Sequence, residues 1–196
     1  MKNIVLSVFI LLTFNSFSQE NLSYQKPSKE ILDLVDFDRP PSVIYDDNKD
    51  YLVFLYRDNY KSIEDLSEEE LRLAGLRINP KTNIGSRVSF YNDIKIKSLV
   101  GKSQNINQIK GLPKKLKVSN LNWSPDQSKI AFTNTTDKGV FLWVLDLKKS
   151  EATKVSELKL NANIGSVINW FSDSKYMLVK VLPENRSELI NPKNVI

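Results

Sequence analysis

The chain has 196 residues, 28 lysines and arginines against 23 aspartates and glutamates, and a formal net charge of +5. An apolar fraction of 41% and a charged fraction of 26% are those of an ordinary globular protein. Histidine and cysteine are absent, which excludes a Ser-His-Asp triad, a Cys-His pair and a His/Cys metal cluster within these residues.

Residues 1–18 read as a secretory signal peptide. Lys2 gives a positive start, Ile4 to Phe14 is mostly apolar, and Ser16-Phe17-Ser18 puts small residues where a signal peptidase reads. The run is too short to span a bilayer as a stable helix, and without cysteine it offers no lipid attachment. The expectation is a chain that is secreted or periplasmic after signal removal, held together without disulfides and without stable membrane insertion. Residues 19–42 read as an N-terminal arm. Ser28 precedes Lys-Glu-Ile-Leu-Asp-Leu-Val35, whose apolar spacing predicts one or two helical turns, and Pro40-Pro41 ends them.

From 43 to 196 the pattern changes to short strands. Asn122-Trp-Ser-Pro-Asp-Gln-Ser-Lys-Ile-Ala-Phe132 recurs as Asn169-Trp-Phe-Ser-Asp-Ser-Lys-Tyr-Met-Leu-Val179, with a fainter copy at Ile44 to Phe54. Each copy has an aromatic residue, a polar turn containing aspartate, and an alternating apolar strand. Trp123 and Trp170 are 47 residues apart, close to the length of one β-propeller blade. Tyr51 to Arg57 is a strand. Ser62 to Ala74 then breaks the repeat with a capping serine, acidic residues and Leu66, Leu71 and Leu73, which predicts a helical insertion at about 62–75 that Gly75 stops.

Ser86 to Leu99 returns to strand alternation, with Asn92-Asp93 as a bulge or tight turn. Val118 to Trp123, Lys129 to Asn134 and Val140 to Leu147 form a hairpin-rich blade around an Asp137-Lys138-Gly139 turn. Val140 to Leu145 is nearly all apolar, as in a strand covered on both faces. Val167 to Phe171 and Tyr176 to Leu182 begin another blade, and the chain turns polar after Leu182. The fold class is therefore mostly all-β: an incomplete β-propeller of two to three blades with one short helical insertion. Repeat units need stacked neighbours to bury their faces, so the sequence reads as the N-terminal part of something longer.

The repeated phrase resembles the hairpins of TolB-like propellers and of the propellers that precede the catalytic domain in the prolyl oligopeptidase family of serine peptidases. Leu73-Ala-Gly-Leu-Arg-Ile-Asn79, Asn83, Ser86-Arg-Val-Ser-Phe-Tyr91 and Tyr24-Gln-Lys-Pro-x-Lys-Glu-Ile-Leu-Asp-Leu-Val35 look like the glutamyl endopeptidase branch of that family, of plant chloroplasts and secreted Bacteroidetes peptidases. The resemblance spans about Tyr24 to Ile196. It implies a peptidase that cleaves after glutamate, in which the propeller restricts peptide access to a C-terminal α/β-hydrolase domain. That domain carries the catalytic serine, aspartate and histidine, so no catalytic residue transfers to this chain. No cofactor-binding or metal-binding residue is assigned, and no peptidase activity is expected of the chain alone. A non-enzymatic, periplasmic TolB-like interaction propeller is the alternative.

Arg72, Arg77 and Arg87 suit an acidic side chain by their bidentate geometry, although a structural salt bridge explains them more simply. Trp123, Trp143 and Trp170 read as packing aromatics, and the turns at Asp46 to Asp50 and Asp126 lack the glycine and distal glutamate of a calcium loop. The run Lys95, Lys97, Lys102, Lys110, Lys114, Lys115 and Lys117 has neither arginine nor aromatics interleaved, so it reads as solvated strand and loop and not as a nucleic-acid surface. Asn21, Asn134 and Asn185 each match the glycosylation acceptor.

Overall fold

A computed structural model of the chain describes residues 25–101 and 105–187. The described residues divide into two units, separated after Phe37. The expected signal segment at 1–18 lies outside the described residues. In the first unit, helix α1 (Lys29–Val35) follows Ser28, whose extended ψ of 157° marks the N-cap, and Glu30 sits in the first turn where the helix dipole favours a negative charge. The capping serine makes no side-chain hydrogen bond to the helix.

The second unit is built from antiparallel meanders. Strands β1 (Ser42–Tyr45), β2 (Tyr51–Tyr56), β6 (Asp93–Ser98) and β7 (Asn107–Gln108) form one four-stranded sheet in the order β1-β2-β6-β7. Strands β8 (Val118–Trp123), β9 (Lys129–Thr136), β10 (Gly139–Asp146) and β11 (Glu151–Lys154) form a second, in order β8-β9-β10-β11. A two-stranded hairpin, β12 (Ile168–Trp170) with β13 (Met177–Val179), begins a third. These are two complete blades and the opening hairpin of another, with no closed barrel among the described residues.

The repeated phrase folds the same way three times. Lys49, Gln127 and Ser174 occupy the same place in the aligned copies, and all three adopt left-handed φ values of 62°, 60° and 57°. In each copy the amide of that residue donates to the carbonyl three positions back: Lys49 to Asp46, Gln127 to Ser124, Ser174 to Phe171. A turn closed this way by a left-handed residue is a common β-hairpin connection. Successive turns also touch. The Asp47 amide donates to the Gln127 side chain at 3.2 Å, and the Asp126 amide to Ser174 Oγ at 3.0 Å. The Asp126 carboxylate accepts from Ser124 Oγ at 2.6 Å and from the Ser128 amide and hydroxyl. The Ser124 hydroxyl chiefly holds that carboxyl down to about 2.

Apolar side chains of β9 and β10 point alternately to two separate clusters. Ile130, Phe132, Leu145 and Leu147 pack with Val53, Leu55, Ile94 and Ile96 of the first blade. Ala131, Val140 and Leu142 pack with Leu160, Val167 and Ile168 toward the third hairpin. The alternation expected for a strand covered on both faces is what the register delivers. The tryptophans serve this packing. Trp143 stacks on its cross-strand partner Phe132 with ring centroids 6.4 Å apart, and Trp170 Nε1 donates to the Asn122 carbonyl at 3.1 Å.

The insertion departs from expectation. Helix α2 spans only Ile63–Ser67, with Ser62 Oγ accepting from the Asp65 amide. Leu71 and Leu73 lie in a strand, β3 (Leu71–Leu73), that pairs with β4 (Leu76–Asn79), and β4 pairs with β5 (Ile84–Gly85). Ala74 and Gly75 connect β3 to β4 with φ of 44° and 90°, the two positive values of a tight primed turn, so Gly75 turns a hairpin and does not stop a helix. The helix buries no residue, and Leu66 is 68% exposed. Residues 86–92 are likewise not a strand. Tyr91 alone pairs with Val118, and regular pairing starts at Asp93. Asn134 is buried at 1% exposure with Oδ1 accepting from the Lys117 amide, so it is closed to glycosylation.

One glycine ties the first blade to the second. The Lys110 amide donates to the Ser150 carbonyl and its own carbonyl accepts from the Ala152 amide, which brings Gly111 against that backbone. Gly111 has φ +79°, and a Cβ there would lie 2.3 Å from the Ala152 carbonyl oxygen. Gly111→Ala should therefore lower stability by about 2–4 kcal/mol through strain and backbone displacement. Chemical denaturation of both chains measures it, and an unchanged midpoint would contradict the close approach.

Candidate functional site

The segment 57–92 leaves the first blade between β2 and β6 and returns to it, and its own sheet stands apart from both blades. Polar ties hold it. Asp65, beside the Ser62 cap, accepts from Lys117 Nζ at 2.6 Å, so α2 is pinned to the residue that precedes β8. The Lys117 hydrogen bond lowers the Asp65 carboxyl from its ordinary value. Asn79 is 5% exposed; its amide donates to Glu68 and its Oδ1 accepts from the Lys81 and Thr82 amides, fixing a local turn. At the far end Ile84 is buried in the cluster facing the third hairpin, where it bridges Ala162, and Asn83 meets Arg186. The insertion therefore runs from the first blade across to the start of the third. Its apolar anchor is Ile84.

The three arginines singled out in the sequence meet at one carboxylate. Glu70 Oε1 accepts from Arg77 Nη1 at 2.6 Å and from Arg72 Nε at 3.0 Å, Arg87 Nε lies 3.8 Å from Oε2, and Ser86 Oγ donates to Oε2 at 2.6 Å. The strands explain the convergence: Arg72 and Arg77 are direct partners across the β3–β4 pair. The Ser86 hydroxyl, then Arg77, hold the Glu70 carboxyl at about 2 in place of 4.5. Glu70 is not recognisable as their partner before folding, because no periodicity links residues 70, 77 and 87. The arginines are thus occupied within the chain. They leave a locally positive cluster whose acidic partner is already present.

Between the insertion and the second blade lies a cleft of about 620 Å³. Ile84, Phe90 and Leu116 supply apolar wall, with Glu64 and Glu68 on the insertion side and Lys114 and Lys115 on the connection into β8. The lysine run is therefore not uniformly solvated strand: Lys117 is ion-paired, Lys95 lies 4.5 Å over the Tyr56 ring, and Lys114 and Lys115 face a cleft. Among the described residues no group of three or more acidic side chains is placed to hold a metal ion.

Sequence comparison gives this arrangement a context. The chain is 33% identical over 181 residues to a probable chloroplastic glutamyl endopeptidase of Oryza sativa subsp. japonica, a match covering 86% of this chain and 19% of that protein. It is 31% identical over 175 residues to the corresponding Arabidopsis thaliana protein, covering 84% of this chain and 18% of that one. These relatives cover most of the chain, consistent with its being a propeller fragment of a longer protein. The chain spans about a fifth of the length of these relatives. No family model matches it. Among solved structures it superposes on the Pyrococcus horikoshii acylaminoacyl peptidase with a TM-score of 0.41 and 24% identity, over 78% of this chain and 19% of that one. An acylaminoacyl peptidase in complex with Z-Gly-Gly-Phe-chloromethyl ketone gives 0.39 and 20%, over 80% and 19%.

These relatives correct one expectation. Both plant proteins are described as chloroplastic, which overturns the secreted or periplasmic location read from residues 1–18. The physical reason is that a basic start, serines and a lack of acidic residues are shared by secretory and organellar leaders.

The Glu70 cluster generates a pH test. Its folded value of about 2 lies below the 4.5 of the unfolded side chain. The stabilisation is therefore complete above about pH 4.5 and drains away as pH falls toward 2. Glu70→Gln should lower the melting temperature near neutrality, and the gap between variant and parent should shrink on acidification. Calorimetry at about pH 7, 5 and 3 reads the gap, and a constant gap would contradict the ion-pair assignment.

Proposed function

We propose that this chain is the peptide-guiding propeller segment of a serine peptidase that cleaves after glutamate. An α/β-hydrolase domain outside these residues would supply the nucleophile, base and oxyanion hole. The observation that carries the reading is the 33% identity across 181 residues to a protein named as a glutamyl endopeptidase. The two four-stranded blades agree with it, since stacked blades form a rigid wall that limits what reaches a neighbouring site. The partners of the segment would be peptides, with no nucleic acid and no membrane insertion required. Neither relative is described as an interaction module, so the TolB-like alternative gains no support.

Acyl transfer needs an imidazole or an equivalent base beside an activated nucleophile, and this chain has no histidine. The 196-residue chain should leave a glutamyl peptide intact, and no serine in it should react with a fluorophosphonate probe. A protein that joins these residues to an α/β-hydrolase domain should cleave the same peptide, about 100-fold faster after glutamate than after glutamine. Stoichiometric labelling of a serine in the chain itself, or a joined protein that cleaves no peptide, would refute the reading.

A further inference from the structure

We infer that the open edge of β13 pairs with the same edge of a second copy of this chain, joining two third hairpins into one four-stranded sheet. β13 hydrogen-bonds to β12 on one side, and no other strand among the described residues meets its other side. The register shows which backbone groups are left over. The Phe171 amide donates to the Tyr176 carbonyl at 3.0 Å and the Lys180 amide to the Val167 carbonyl at 3.2 Å, so Tyr176, Leu178 and Lys180 turn their backbone groups toward β12. Met177 and Val179 therefore turn theirs to the open edge. The strand is held ready for a partner, since the Met177 and Val179 side chains pack against the cluster that contains Leu160 and Ile168. β13 has no proline, glycine or bulge to disrupt a new pairing.

The side chains select a second copy as the partner. On the face away from the core Tyr176 is 68% exposed, Leu178 is 63% exposed, and Lys180 is exposed as well. An antiparallel partner that uses the free groups of both Met177 and Val179 sets Met177 of one copy opposite Val179 of the other. A two-fold axis then passes between the two copies of Leu178, and Tyr176 of each copy faces Lys180 of the other. Shifting that register by two residues leaves the lysine opposite Ser174 or Leu178 instead. The chain already places lysines over rings on neighbouring strands: Lys95 Nζ lies 4.5 Å from the centre of Tyr56, and Lys154 Nζ 4.0 Å from that of Phe141. Lys180 Nζ also donates to the Ile164 carbonyl at 2.7 Å, which keeps the ammonium at this edge with protons to spare. The joined sheet has the four strands of each of the two blades before it.

Sedimentation velocity on the 196-residue chain, from about 1 to 200 µM, should show a reversible monomer–dimer equilibrium. Tyr176→Lys sets lysine against lysine twice in each dimer and should weaken association about tenfold. Tyr176→Glu sets a carboxylate against the same lysine and should associate at least as tightly as the parent. Position 176 is exposed, so the melting temperature of the dilute monomer should be unchanged in both variants. A covalent trap tests the register. The two copies of Leu178 face each other with Cα atoms about 4.5 Å apart, within disulfide range. The chain has no cysteine. Leu178→Cys treated with oxidised glutathione should therefore give a disulfide-linked dimer, whereas Tyr60→Cys, 71% exposed in the insertion, should not. A monomer at every concentration, which would leave the edge to a strand of another protein or of a longer chain, overturns the inference. So does a Tyr176→Lys dimer as tight as the parent's, a Tyr176→Glu dimer weaker than it, or a Leu178→Cys variant that crosslinks no faster than Tyr60→Cys. None of these measurements involves peptide cleavage, so the proposed function stands or falls separately.

Discussion

Strands β9 and β10 send successive side chains in opposite directions, and each direction meets a different apolar cluster. This two-sided burial is the constraint on which the rest depends. Phe132, Val118, Ile130 and Val140 are wholly buried, and fully burying side chains of this size contributes on the order of 1.5–3 kcal/mol each. Neither the first blade nor the third hairpin has such a centre of its own. Each borrows one face of the second blade, as expected where neighbouring repeats complete one another's cores.

The polar contacts act on a different scale. Hydrogen bonds between the turns, Asp47 to Gln127 and Asp126 to Ser174, set the angle between successive blades more than they stabilise them, since a single such bond contributes only about 1 kcal/mol net. The insertion is held mostly by ion pairs and by the single buried anchor Ile84. Exposed pairs are weak individually, so a bidirectional tie of this kind favours one placement of the segment without locking it.

The blades were legible because their residues obey local rules. An Asp-containing turn followed by alternating apolar residues has one outcome in water, and it appears three times with the same left-handed residue. The insertion was misread for a definable reason. Leu71 and Leu73 are two apart, the spacing of a strand face, and the Ala74-Gly75 pair was a hairpin signal; the acidic run before them suggested a helix that ends after Ser67. Strands β7 and β11 carry little apolar periodicity and exist because a neighbouring strand offers them partners. Of the candidate site, the three arginines were visible but Glu70 was not. The hydroxyls of Thr82 and Thr135, buried without a partner among the described residues, had no sequence signal, because burial without a partner is a property of the tertiary structure alone.

Native-state hydrogen exchange on the 196-residue chain tests the central role of the two-faced strands most directly, since amides that open only on global unfolding mark the core. The account predicts that amides of Ile130 to Thr135 and Val140 to Leu145 exchange last, with Val53 to Leu55 and Ile168 to Trp170 opening earlier as the flanking units separate. Slowest exchange in the first blade or in the third hairpin, with β9 and β10 opening before them, would contradict it.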